Sequence, residues 1–306
     1  MHPLSRHYRF GGLTIDSDVA LAGLRPATAG DDAHPVQLAF HRGSTPAADR
    51  EIFAWNGRYG LTLGMLGDAW HFSSKLDGIF IADRAVSRID FHSAGDLPTP
   101  AAMDVLTRRI LPRLATATGA LTVHGAALIR DGGAILMFGQ SGAGKSTLTA
   151  ALASAGWHIA SDDLTMIRTG SDGTLVHPAA TGVCLWADSC AALALAPARC
   201  VAMPGYDGKW RFEPEDSPGA TPAPLRALVF LERGEGSLAP RLDRMAMGEA
   251  IREATGQLIA LDPTVPRIDA AQRLLQAMAG VPAVKLTYPS GYDALPAVIA
   301  LLATLL

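Results

Sequence analysis

Gly139-Gln140-Ser141-Gly142-Ala143-Gly144-Lys145-Ser146-Thr147 constrains this chain more than any other stretch, because it meets the pattern G-x-x-x-x-G-K-[ST] in full. The apolar run Ala134-Ile135-Leu136-Met137-Phe138 before it predicts a buried strand. Leu148-Thr149-Ala150-Ala151-Leu152-Ala153 after it is rich in helix formers. Between strand and helix, glycines open backbone angles closed to other residues, so that successive N–H groups can converge on phosphate oxygens. The helix N-terminus adds a partial positive charge. Lys145 is expected to reach the β/γ-phosphates as a point charge, and the Ser146 hydroxyl to ligate the accompanying metal. The loop is therefore expected to bind a nucleotide together with its Mg²⁺.

After the loop helix, Trp157-His158-Ile159-Ala160 predicts a short strand that leaves Ser161-Asp162-Asp163 at its carboxyl end, where ligands bind in open α/β sheets. Two adjacent carboxylates there can divide labour. One holds Mg²⁺ or its water, while the other accepts the proton of an attacking hydroxyl. The residues alone leave the division open. Upstream, residues 121–129 read as one strand, turned by Asp131-Gly132-Gly133 into the strand that feeds the loop. His124 is thus expected on a strand paired with the loop's own, either as a packed histidine or as a group near the reacting phosphate. In Lys209-Trp210-Arg211-Phe212 the two cations either face a phosphate together or lie on an exposed strand face.

With 306 residues, 49% of them hydrophobic, the chain can build a substantial core. A net charge of -3 gives no general attraction to nucleic acid or to an anionic membrane. Cys184, Cys190 and Cys200 lack zinc-ligand or paired-staple spacing, so they are expected to be reduced packing residues in a cytoplasmic protein. The start, Met1 to His7, has no following apolar region of the secretory kind. The apolar tail from Ala294 contains Pro296 and falls short of the ~20 residues needed to span a bilayer, so a packed terminal helix is expected.

Up to about Asp96, short apolar and alternating runs such as Val36-Gln37-Leu38-Ala39-Phe40 and Tyr59-Gly60-Leu61-Thr62-Leu63 predict a small β-rich domain. The segment around Gly30-Asp31-Asp32 reads as a loop. Pro98-Thr99-Pro100 then combines prolines with a helix cap, and Met103, Val105, Leu106, Ile110, Leu111 and Leu114 follow at helical spacing. A boundary there divides the chain into residues 1–97 and 98–306. Further on, a hairpin is expected around Gly170-Ser171-Asp172-Gly173 and a turn at Pro204-Gly205. Residues 213–224 read as a mobile connection, 225–231 as a buried strand, 187–195, 247–261 and 267–279 as helices, and 283–287 as a strand.

With these motifs placed, the chain resembles the HPr serine kinase/phosphorylase-related family: Val123-His124-Gly125, the loop of residues 139–146 and Ser161-Asp162-Asp163 match that family's ordered signature. The resemblance is strongest over residues 121–167. It implies an α/β fold, a P-loop kinase core with a mixed central sheet and flanking helices behind the β-rich domain. It also implies that His124 is an active-site histidine, and that Lys145 and Ser146 serve the nucleotide and Mg²⁺. For the acid pair it implies a base, favouring Asp162, and a metal-side acid, Asp163 beside Ser146. Thr147 stands where true HPr kinases carry an acid. Tyr8-Arg9-Phe10-Gly11, Leu185-Trp186, Gly208-Lys209-Trp210 and Val281-Pro282 look more like HPr-kinase-related proteins, some of which are tailoring kinases of ribosomal peptides, lasso peptides among them.

The implied activity is ATP-dependent phosphorylation of a serine hydroxyl on a peptide or protein substrate, with no nucleic-acid or membrane partner; a homo-oligomer is compatible with it. Two alternatives stand beside it: a nucleotide-dependent switch or sensor with slow hydrolysis, and a kinase of a small alcohol or free amino acid.

Overall fold

The computed structural model describes residues 6–27, 33–43, 45–57, 59–171, 173–179, 182–203, 206–214, 221–234 and 239–306. The first five residues, the acids Asp31 and Asp32, the hairpin residue Asp172, the turn Pro204-Gly205 and residues 215–220 of the expected connection lie outside them.

Alternation in the first part of the chain does produce strands, because every second side chain finds an apolar face to enter. Leu13 and Ile15 are fully buried while the alternate residues Thr14 and Asp16 are partly exposed. Nine strands form one mixed sheet in the order Arg25–Pro26, Arg6–Phe10, Leu13–Ser17, His34–Arg42, Arg88–Ser93, Ile79–Ala82, Ala69–Ser73, Leu61–Leu66 and Arg50–Trp55. Its inner face carries stacked Phe80 and Phe91, with ring centroids 4.4 Å apart.

That face is covered by the helix over residues 100–117. Thr99 caps it, its hydroxyl accepting the Ala102 N–H at 3.2 Å, and Pro100 takes the first turn, where no N–H is needed. The helical spacing read from the sequence holds: Val105, Leu106, Ile110, Leu111 and Leu114 are all fully buried in the core shared with the sheet. Burying Leu106 or Ile110 stabilises the fold by about 2 kcal/mol each. The helix is not uniformly α. Pro112 has no N–H to give to the carbonyl four residues back and crowds it, and between Pro100–Val105 and Leu111–Ala117 the five residues Leu106–Ile110 wind as a π turn. There the Leu111 N–H reaches the Leu106 carbonyl.

The second sheet is also mixed and has ten strands. Eight run in the order His158–Ser161, Ala126–Arg130, Gly133–Phe138, Ala223–Gly234, Gly173–His177, Leu164–Gly170, Leu121–His124 and Leu258–Ile259. Ala283–Pro289 also pairs with Ala223–Gly234 and carries Arg241–Arg244 on its far edge. A third, antiparallel sheet joins Val183–Trp186, Lys209–Phe212 and Cys200–Ala202. The molecule is therefore a mixed α/β protein with several sheets and few helices. No helix among the described residues is long and apolar enough to cross a membrane.

Several expectations need correction. Residues 121–129 are not one strand: Gly125 divides them, and Leu121–His124 pairs with Leu164–Gly170, not with the strand that feeds the loop. Only glycine fits at this break, since a Cβ on Gly125 would lie 2.8 Å from the Met137 carbonyl oxygen. The helix expected over 247–261 ends at Thr255, before Gly256, and Leu258–Ile259 returns as an edge strand. The helix after Trp186 is likewise shorter, Ala187–Ala192.

Candidate functional site

Gly133–Phe138 is buried along its whole length, paired with Ala126–Arg130 on one side and parallel to Ala223–Gly234 on the other. It delivers the chain into the loop of residues 139–144, after which Lys145–Ser154 forms a helix. Gly144 precedes that helix with φ of 94°, a left-handed conformation that glycine adopts without cost, and a Cβ there would run into the Arg233 guanidinium. Gln140, Ser141 and Gly142 are exposed or partly so, their backbone open to a ligand. Lys145 folds back over the loop: its ammonium donates to the Gly139 carbonyl at 2.5 Å and to that of Gln140 at 3.4 Å. Burial pulls the Lys145 ammonium below its ordinary range, against the pull of Asp163 and Asp162.

The break at Gly125 has a partner across the sheet. His158–Ser161 pairs with Ala126–Arg130, whereas Leu164–Gly170 pairs with Leu121–His124, so both chains change neighbours at the same point. The Gly125 N–H donates to the Asp163 carbonyl at 2.9 Å, locking the two breaks together, and Asp163 turns with φ of 83°, unusual for a non-glycine residue. This crossing brings His124, Asp162 and Asp163 to the mouth of the loop.

The two aspartates then diverge, as adjacent residues at a strand end should. Asp162 faces the loop: its Oδ1 accepts from the Ser146 hydroxyl at 3.1 Å and its Oδ2 from the Cys184 N–H at 2.8 Å. Burial raises its carboxyl, opposed by the Cys184 N–H, by Arg108 and by Ser146. Asp162, and not the Asp163 favoured for the metal side, is the acid hydrogen-bonded to Ser146. Asp163 points away, to His124 Nε2 at 3.1 Å, Arg109 at 3.2 Å and Arg108 at 3.3 Å. Burial would raise its carboxyl, but the hydrogen bond from His124 and the charges of Arg109 and Arg108 outweigh it and hold the group well below the usual carboxylate range.

Arg108 and Arg109 sit on the π turn and are functional candidates that the sequence reading missed; the one local signal was Pro112 inside a helical pattern. Arg233 was missed as well. At the end of the strand parallel to the one feeding the loop, its guanidinium lies 4.3 Å from the Tyr288 ring centroid and donates to the Pro289 carbonyl at 3.0 Å. Tyr288 in turn donates to the Ala143 carbonyl at 2.7 Å, propping the loop. Thr147 shares a 3.2 Å hydroxyl contact with Ser189.

Two clefts meet over the loop. One, of about 320 Å³, holds His124, Asp162, Asp163, Lys145 and Ser146, with Trp186 and Lys209 at its rim. The other, of about 840 Å³, lies between the loop backbone and Arg252, Gln257 and Lys285. Trp186 is 56% exposed, a high value for so large an apolar side chain, and the Lys209 ammonium sits 5.5 Å from its ring centroid. Lys209 and Arg211 part company, Arg211 pairing with Glu213 at 3.0 Å, away from the loop. Cys184 is buried, which pushes its thiol up to about 12.

The family model of the SynChlorMet cassette protein ScmC matches residues 101–192, the stretch that holds the two arginines, His124, the loop and both aspartates. Among solved structures, the Hpr(Ser) kinase/phosphatase from Coxiella burnetii is similar at 13% identity over 60% of this chain and 94% of its own, with a TM-score of 0.32. No curated protein matches.

Proposed function

We propose that the protein transfers the γ-phosphoryl group of ATP to the serine hydroxyl of a peptide or protein. The observation that carries this reading is the Ser146–Asp162 hydrogen bond beside the glycine-rich loop. It joins a helix-start hydroxyl to a strand-end carboxylate, two hard oxygen donors suited to Mg²⁺. Among the described residues no group of three or more His, Cys, Asp or Glu side chains could hold a metal on its own. A site of one carboxylate and one hydroxyl fits a magnesium that keeps its waters and its nucleotide phosphates. Ser146 and Asp162 would hold that ion, which when bound neutralises charge on the β/γ-oxygens. The metal-side role expected of Asp163 passes to Asp162.

The remaining groups divide the transfer among them. Loop N–H groups and Lys145 hold the phosphates, and Arg233 adds a second cation over Gly144. The larger cleft has room for the nucleoside, so the acceptor enters from the smaller one, past Trp186 and Lys209. Asp163 and His124 face that acceptor as a hydrogen-bonded pair and take the hydroxyl proton as a unit while the phosphoryl group is displaced in line.

Incubation with γ-labelled ATP, Mg²⁺ and serine-bearing peptides, read by mass spectrometry, tests the reading. Phosphate on a serine is the expected result. Release of phosphate to water alone would favour a switch or sensor, and labelling of free serine but of no peptide would favour a small-alcohol kinase.

A further inference from the structure

We infer that Arg108 and Arg109 are positioning residues for Asp163, and that through Tyr59 they make the nine-stranded sheet part of the reaction site. The inference rests on the phosphotransfer reading above.

A regular α-helix turns each successive side chain by about 100°, so neighbours seldom serve one target. The π turn forced ahead of Pro112 alters that geometry, and both guanidinium groups converge on Asp163 Oδ2, at 3.3 Å from Arg108 and 3.2 Å from Arg109. The two are held differently. Arg108 is anchored from behind: its Nη1 donates to the Tyr59 hydroxyl at 3.4 Å and lies 4.0 Å from Asp104, while that hydroxyl donates to Asp104 at 2.6 Å. Its side chain is 11% exposed. Arg109 has its guanidinium carbon 5.0 Å from the Tyr59 ring centroid, and its side chain is 26% exposed.

Tyr59 belongs to the core of the first sheet. Its contacts run from that sheet through the helix to the acid that faces the acceptor. The arrangement fixes Asp163 so that Oδ1, the oxygen not gripped by arginine, is presented to His124. Among the described residues Arg108, Arg109 and Tyr59 make no hydrogen bond or ion pair with the glycine-rich loop, and both guanidinium groups pair with Asp163.

The test uses the whole chain, γ-labelled ATP, Mg²⁺ and serine-bearing peptides as acceptors of the phosphoryl group, with turnover and nucleotide-induced thermal stabilisation measured on each protein. Arg109→Ala is expected to lower kcat by roughly 10²-fold while retaining the ATP-induced shift, and millimolar guanidinium is expected to restore part of the rate where tetramethylammonium at the same concentration does not. Arg109→Lys is expected to remain slow, since an ammonium cannot reproduce a planar fork. Tyr59→Phe is expected to lower kcat with the thermal shift intact. Wild-type turnover in Arg109→Ala would overturn the inference, as would joint loss of turnover and nucleotide stabilisation without guanidinium rescue. A wild-type protein that is stabilised by ATP·Mg²⁺ yet labels no serine of any peptide would overturn the phosphotransfer reading itself, and this inference with it.

Discussion

At the scale of single residues, the site depends on a few charges in unlike surroundings. Lys145 donates to two loop carbonyls, so Lys145→Ala is expected to lose the ATP-induced thermal shift and to cut turnover by about 10²-fold or more, at a stability cost of roughly 1 kcal/mol. Turnover at the wild-type rate would remove the loop from the mechanism. Away from the site, burial and the nearby Arg168 charge pull His177 from its ordinary 6.5 down to about 4. Its neutral form is the one the fold accommodates. The unfolded chain therefore takes up the proton first, and this contribution is whole above pH 6.5 and drains away as pH falls toward 4. It amounts to on the order of 3 kcal/mol. Denaturant unfolding of His177→Gln is expected to show a flatter loss of stability across that window than wild type; parallel curves would assign the acid sensitivity elsewhere.

Among elements, local chemistry decided what the sequence could disclose. The loop, its strand and its helix were legible because glycines, an apolar run and a lysine act within a few positions of one another, and Thr99-Pro100 marked a helix start for the same reason. The strand break at Gly125 was not legible: nothing local says that residues 121–124 and 126–130 choose different neighbours, since that choice is made by the Met137 backbone and the turn at Asp163. Nor were Arg108 and Arg109, 55 and 54 positions before the acid they grip, or Arg233, which only sheet order brings to the loop. The π turn supplies a test at this scale. Pro112→Ala removes both the missing donor and the ring clash, so the turn can relax to α geometry and swing the arginines off Asp163. Stability equal to or above wild type with turnover reduced by roughly 10²-fold is expected. Undiminished turnover would show that the turn is incidental.

For the whole molecule, the division proposed at 97/98 does not divide the apolar core. Every residue of the proposed nucleotide site follows it, yet Phe10, Leu63, Phe80 and Phe91 of the first sheet share one apolar cluster with Val105, Leu106, Ile110 and Met166. Calorimetry is expected to give a single cooperative transition; two well-separated transitions would mean that the shared core contributes little coupling. The central claim is that one aspartate serves the metal and its neighbour the acceptor, and it is tested most directly by comparing Asp162→Asn with Asp163→Asn for ATP·Mg²⁺ binding and for phosphate transfer from labelled ATP. Asp162→Asn is expected to weaken binding and slow transfer together, because Ser146 loses its carboxylate partner. Asp163→Asn is expected to bind ATP·Mg²⁺ like wild type and to transfer 10²- to 10⁴-fold more slowly, roughly the contribution of a positioned base. Wild-type binding and transfer in both variants, or the opposite assignment of the two defects, would contradict the account.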